Sequence, residues 1–400
     1  MKHEKNIQLA ASIIMVVLLQ LFTGIYAQGQ NVGRVFASEK KDFIDSVTGK
    51  KYTALTTSAS GDSKIYQTHP QWTSDGKHII FRSDRSGIRN SQVFAVNESS
   101  GAIIQLTDGR GINSGSLNVC RKTNRIFYLR NNKLTELSID PIIADSRNAK
   151  LNDSSRYERT IMSLPPLHRE SGGFTLDADE TKAYIGISYR KENDTTNYYK
   201  LCAINLADGV MSTIMEIPFR VGHVQANPWV KGEILYCWET GGDAVQRMWM
   251  INADGTGNRP FYKETPDEWV THEIWADRDH IFVNILGHLP RLRLKPHGLA
   301  EVNTRNNEIR FFNNAPGRGY WHCAESEDRK WAVADTFTGE LHRINLATGE
   351  ATVLTTGHYA KTDGIPTVHS HHTISPDGKR VLFNSGKLGS LDLMIMAIED

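Results

Sequence analysis

Net charge is almost absent from this chain: 46 Lys and Arg stand against 45 Asp and Glu. No global field attracts a polyanion, so nucleic acid is not an expected partner, and an acidic substrate must be met by local cations. Cysteine is scarce, with four residues, no CxxC and no close pair. That excludes a disulfide framework and a thiolate metal ribbon. Cys120, Cys202, Cys237 and Cys323 each sit in or beside an apolar run and read as buried free thiols. There is no GxSxG and no Ser-His-Asp spacing, so acyl-enzyme chemistry lacks support. After the first 26 residues, no apolar run is long enough to cross a bilayer.

Those first residues differ from the rest. Lys2 and Lys5 precede an apolar stretch from Ile7 to Tyr26, then a small residue, Ala27, and the polar Gln28-Gly29-Gln30. This is the layout of a secretory signal peptide over residues 1–27, the alternative being an uncleaved anchor. No cysteine follows it to take a lipid. The expectation is one mature domain, 28–400, periplasmic or secreted, free of the membrane once the leader is removed, and monomeric or weakly oligomeric.

What the chain does have is glycine, 32 of them, and many short β-branched and aromatic runs. One unit recurs: a polar cluster of the form S/T-x-D-G, an apolar strand, and a second strand ending in a turn such as Ile204–Gly209 (INLADG) or Ile344–Gly349 (INLATG). The clearest copies begin at Trp72 (WTSDGKHIIF) and Ile374 (ISPDGKRVLF). Weaker copies bring the total to seven, with clusters starting near Thr73, Cys120, Asp177, Asn227, Ala276, Ser326 and Ser375. A period of about 50 residues holding several short strands is the signature of propeller blades. The chain is therefore expected to be all-β, a seven-bladed β-propeller. The last unit has room for three strands, and Lys51–Thr57 (KYTALTT) is expected to supply the fourth, closing the ring and removing two strand edges. Asp140–Pro166 is polar and irregular and reads as a surface excursion.

Counting back four residues from each cluster gives His69, Ser116, Gly173, His223, His272, His322 and His371. Five of these seven positions are histidine. Each precedes the innermost strand of its blade, so together they are expected to ring one mouth of the axial channel. His369 shares a strand face with His371, while His372 points away. Imidazoles converging in a cavity suit a borderline divalent cation, and carboxylates are few, with Glu273 and Asp363 the nearby candidates. A histidine left outside the metal shell is suited to act as a general base.

Gly222-His223-Val224-Gln225-Ala226, Gln246–Asn252 (QRMWMIN), His272-Glu273-Ile274-Trp275 and His369-Ser370-His371 ahead of Ser375-Pro376-Asp377-Gly378 resemble the oligogalacturonate lyase family. The resemblance spans most of the mature chain. It implies a seven-bladed propeller that cleaves short uronate oligosaccharides by β-elimination with a divalent metal, manganese foremost. It implies His223 as the base, His272, His369 and His371 as metal ligands, and Arg247 against the substrate carboxylate. His69, Arg220, Gln225 and His322 are the remaining substrate-binding candidates, with Arg190 a more distant one. In one respect the chain departs from the family: Pro366 stands where the pattern has a glutamine ligand. That leaves the fourth ligand open, His322 being one candidate. Two other readings remain: a lyase for another uronate glycan such as ulvan, and a non-catalytic, protein-binding propeller of the Tol type.

Overall fold

The second strand of each repeat is apolar on successive residues, and the reason is that both of its faces are covered. In Arg380–Ser385, Val381 and Phe383 pack with Val333 and Leu341 of one neighbouring blade, while Leu382 packs with Phe81 and Phe94 of the other. Side chains alternate along a strand, so an unbroken apolar run feeds two interfaces at once. The computed structural model describes residues 30–87, 91–312, 319–359, 361–362, 365–366 and 368–399. The expected leader and Asp363 lie outside the described residues.

Seven antiparallel sheets follow one another along the chain. Their innermost strands are Ser63–Lys64, Ile112–Val119, His168–Leu176, Val221–Ala226, Val270–Trp275, Tyr320–Glu325 and Thr373–Ile374. Seven buried apolar clusters lie between them, each joining two consecutive blades, and one joins blade seven back to blade one. This is the expected seven-bladed β-propeller. All four cysteines are buried and free.

Closure follows the expected route and adds to it. Strand Lys51–Ala54 pairs with Asp392–Ala397 through Thr53↔Ile395 and Ala54↔Met394. Leu55 N–H continues the ladder to Leu393 O at 2.8 Å. Two outer strands were not foreseen: Lys41–Ile44 extends blade seven, and Val35–Phe36 pairs with Ile103–Gln105 to extend blade one. Residues ahead of the first repeat thus cover two edges.

The segment read as a surface excursion is largely structured. Ile139–Arg147 is a helix whose Ile139 and Ile142 join the core between blades one and two. Glu158–Ser163 is the outermost strand of blade two. The exposed polar residues, which mask a short amphipathic face, hid both elements from the repeat pattern. Among the described residues, no helix is long and apolar enough to cross a membrane.

Candidate active site and metal centre

Five of the seven innermost strands shift register against their neighbour near one mouth. Two residues oppose one between Gly222 and Gln225, between Thr271 and Ile274, and between Tyr320 and Cys323. These are β-bulges, which bend a strand and re-aim a side chain. His223 and His272 occupy the first two with left-handed backbone, at φ 46° and 53°; the third holds Trp321 and His322, and His371, just ahead of Thr373–Ile374, is left-handed at φ 40°. Such a conformation costs on the order of 1–3 kcal/mol for a residue with a Cβ, and it persists where the surroundings impose it.

Two bulges and the segment ahead of Thr373–Ile374 bring four imidazoles together. Ring centroids of His272 and His322 lie 4.3 Å apart, His322 and His371 4.7 Å, His322 and His369 5.5 Å, and His369 and His371 5.6 Å. Ring nitrogens of His322, His369 and His371 all fall within 4.8 Å of one another. His322 donates from Nδ1 to Asp335 Oδ2 at 2.9 Å, which leaves its buried Nε2 without a partner. Nδ1 of His272 is likewise buried and unpartnered. Burial and the neighbouring imidazoles hold His272 and His371 well below the ordinary histidine range, so both are neutral, the form that coordinates metal. Asp335 is fully buried. Burial pushes its carboxyl up, but His322 and the hydrogen bonds from His322 and Ser370 outweigh that and keep it ionised. Tyr359 also donates to it. Two orphaned imidazole nitrogens in an all-nitrogen pocket, backed by a carboxylate, fit a divalent cation of borderline softness.

His223 stands apart from this cluster, across the ring of Tyr66, whose centroid is 5.6 Å from His223 and 5.0 Å from His371. Its Nδ1 is 3.2 Å from Glu273 Oε1, and its Nε2 is 3.7 Å from Glu239 Oε2. Gly222 permits that approach, because a Cβ there would meet Glu239 Cβ at 2.7 Å and Cys237 Sγ at 2.8 Å. Cys237 also borders His223 and Glu239, but burial holds its thiol well above the usual range, so it offers no thiolate to a metal.

The remaining candidates fall in different places. Arg247 is 4% exposed and donates to Glu239 Oε2 at 3.2 Å and to the carbonyls of Trp238 and Gly242. Burial acts to raise the Glu239 carboxyl, and Arg247 overrides it. Arg220 is exposed, and its backbone carbonyl accepts Glu239 N–H at 2.8 Å. Arg190 is also exposed and bonds Asn197. Gln225 is buried and donates to Glu273 O at 2.9 Å, so it braces Glu273 instead of facing the mouth. Pro366 lies in a two-residue strand paired with Lys361–Thr362.

His69 leaves the ring. Blade one pairs Lys64 with Phe81 and resumes only at Trp72↔Ile79, so its bulge is an excursion several residues long. His69 Nε2 bonds Phe174 O at 3.0 Å in blade three, and the ring lines a cavity of about 310 Å³ at the opposite mouth. Gln67 of the same excursion reaches Cys323 O in blade six at 3.3 Å. The excursion therefore spans the channel and separates its two mouths.

Counting residues from the polar clusters missed Glu239, Asp335 and Tyr66. Asp335 left one signal, a lone acid within the apolar second strand Trp331–Thr336.

The sequence profile of the oligogalacturonate lyase family matches residues 27–288. An oligogalacturonide lyase of Pectobacterium atrosepticum is 23% identical over 394 residues, covering 90% of this chain and 96% of that protein. An oligogalacturonate lyase of Dickeya dadantii is 24% identical over 395 residues, with the same coverage of 90% and 96%. The crystal structure of an oligogalacturonate lyase from Vibrio parahaemolyticus superposes with a TM-score of 0.78 at 21% identity, covering 92% of this chain and 98% of that one. A solved oligogalacturonate lyase in complex with manganese gives a TM-score of 0.78 at 20% identity, with the same coverage. With its profile matched over more than half its length, the chain belongs to the oligogalacturonate lyase family.

Proposed function

We propose that the protein is a lyase that cleaves oligogalacturonate by β-elimination, with His223 as the base. The observation that carries this reading is the pairing, in one channel mouth, of a carboxylate-backed histidine with a separate cluster of neutral imidazoles. Glu273 Oε1, 3.2 Å from Nδ1 of His223, is the carboxylate that favours the tautomer protonated at Nδ1 and leaves Nε2 to act as base. Nε2 then takes the proton from C5 of the uronate. The C5–H electron pair becomes the C4–C5 double bond, the C4–O bond breaks, and the departing oxygen takes a proton from water. The imidazolium formed lies between Glu273 and Glu239, which offset its charge. Arg247 fixes Glu239, and the exposed Arg220 is the cation available to a uronate carboxylate.

A divalent cation would be held by His369 and His371 with His272 and His322 alongside. Bound there, it draws off the negative charge that builds on the uronate carboxylate. The manganese complex of the relative supports a divalent metal. His322 offers the nitrogen that Pro366 cannot. The apolar run ahead of Ala27 supports export to the periplasm or beyond, which N-terminal sequencing of the mature protein checks.

The deciding experiment is incubation of the metal-loaded protein with oligogalacturonate, ulvan fragments and neutral glycans. Ultraviolet absorbance from unsaturated uronate should rise with oligogalacturonate. Product from ulvan alone would reassign the substrate, and product from none would leave a binding propeller.

A further inference from the structure

Four half-buried rings run outward from the histidine cluster along the same mouth. The Trp321 centroid lies 4.8 Å from that of His369, and Phe337 follows at 4.4 Å from Trp321. His288 lies 5.8 Å from Phe337, and Trp269 4.8 Å from His288. Trp321 precedes His322 in the blade-six bulge. Phe337 and His288 follow the strands Trp331–Thr336 and His280–Ile285, and Trp269 precedes Val270–Trp275. None of the four belongs to the apolar clusters that hold blades five and six in place. Core packing therefore does not account for them.

Cations flank the outer end of this row. Arg293 is exposed and its Nε donates to Gly287 O at 2.7 Å, and Lys295 donates to Thr265 Oγ1 at 2.6 Å. Among the described residues neither meets a carboxylate, whereas Arg291 in the same loop is paired with Asp243 at 2.6 Å. A row of aromatic faces ending in two uncompensated cations is matched to a ligand that is apolar on its ring faces and anionic at its edge. A pyranose uronate has that character.

We infer that Trp321, Phe337 and Trp269, with Arg293 and Lys295, bind the uronate units that lie beyond the two flanking the cleaved bond. This rests on the lyase reading above and adds to it the residues that hold the further units of a trimer or tetramer. Pyranose faces stack on the rings. Their carboxylates approach the two cations, which act near the surface and are open to screening by salt.

The test compares the galacturonate dimer and tetramer as substrates for the wild type, Trp269→Ala, Phe337→Ala and the double variant Arg293→Gln/Lys295→Gln. Each ring variant should raise KM for the tetramer roughly 3- to 10-fold, the range for one aromatic contact, with dimer KM and both kcat values within about twofold. The charge variant should raise tetramer KM and flatten its dependence on NaCl. Trp321→Leu, which adjoins His369, is read the same way once its metal content equals that of the wild type. Equal changes for dimer and tetramer, or no change in any variant, would overturn the subsite. Wild-type protein that forms no product from either oligomer would instead overturn the lyase reading. A titration of its tryptophan fluorescence with tetramer then decides the row separately: quenching lost in Trp269→Ala retains a uronate-binding row, and no quenching removes it.

Discussion

His223 Nδ1 lies 3.2 Å from Oε1 of Glu273, a residue with no exposed surface. Glu273 is itself braced from blade four by Gln225, whose side-chain amide donates to its backbone carbonyl. The imidazole on blade four thus faces a carboxylate of blade five that is itself held in place from blade four.

His223→Ala should cut turnover by about 10²–10⁴-fold, the usual worth of a positioned base. Metal content and melting temperature should stay near wild type. Glu273→Gln should cost roughly 10²-fold or more, because the amide no longer selects the tautomer. Turnover by product absorbance and metal by mass spectrometry check both. Metal lost together with activity in His223→Ala would place that residue among the ligands.

Removing the metal should abolish turnover and lower the melting temperature. Saturation at about 100 times Kd is worth roughly 2.7 kcal/mol of stability. His369→Ala and His371→Ala should lose stoichiometric metal. Asp335→Asn should keep the fold yet bind metal about 10–100-fold more weakly, because Nδ1 of His322 loses its carboxylate. Calorimetric titration of the stripped protein with Mn²⁺ reads all three. Equal affinity in Asp335→Asn would remove His322 from the coordinating set.

Acid should destabilise the metal-free protein before it denatures the carboxylate network. His358 is buried between Thr355 and Ser385, and burial lowers it to about 3 from 6.5. The unfolded chain binds this proton first. Stability is therefore complete above pH 6.5 and is lost as pH falls towards 3. At pH 5 the loss from this one group is about 2 kcal/mol. Urea midpoints at pH 7 and pH 5 measure it together with the other buried imidazoles, and His358→Gln should narrow the gap between the two midpoints. A wild-type midpoint that is flat across this window would contradict the assignment.

Deleting residues 48–58 should prevent cooperative folding. It removes Lys51–Ala54 and Leu55 and bares two edges, one on Asp392–Ala397 and one on Lys41–Ile44. A soluble deletion variant with a single sharp melting transition would contradict closure by this strand.

The blades were legible because the S/T-x-D-G hairpin recurs wherever a second strand turns away from the axis. The histidine register was legible for the same reason at His223, His272, His322 and His371. The bulges were not, because a left-handed residue leaves no mark on an apolar-polar alternation. Counting also fails where the chain inserts residues between the hairpin and the mouth, as it does between Lys64 and Trp72. That insertion is why His69 bonds Phe174 instead of joining its counterparts. Glu239 and Asp335 stayed hidden because they enter the site from second strands, whose register is set by pairing across the sheet.

Two of the five inner-strand register shifts, those of blades two and three, carry no imidazole. In blade two, Ser116 spends its hydroxyl stitching the bulge, accepting from Leu129 N–H at 2.8 Å. In blade three, Gly173 sits at φ 82°, and a Cβ placed there would meet nothing within 4 Å. Pairing resumes on both sides of each of these shifts, so one position can exchange its side chain while its neighbours keep theirs. The mouth thus works like a turret with separately loaded chambers. Its chemistry can diversify a chamber at a time, and Gly173 marks a position where a Cβ would meet no atom within 4 Å.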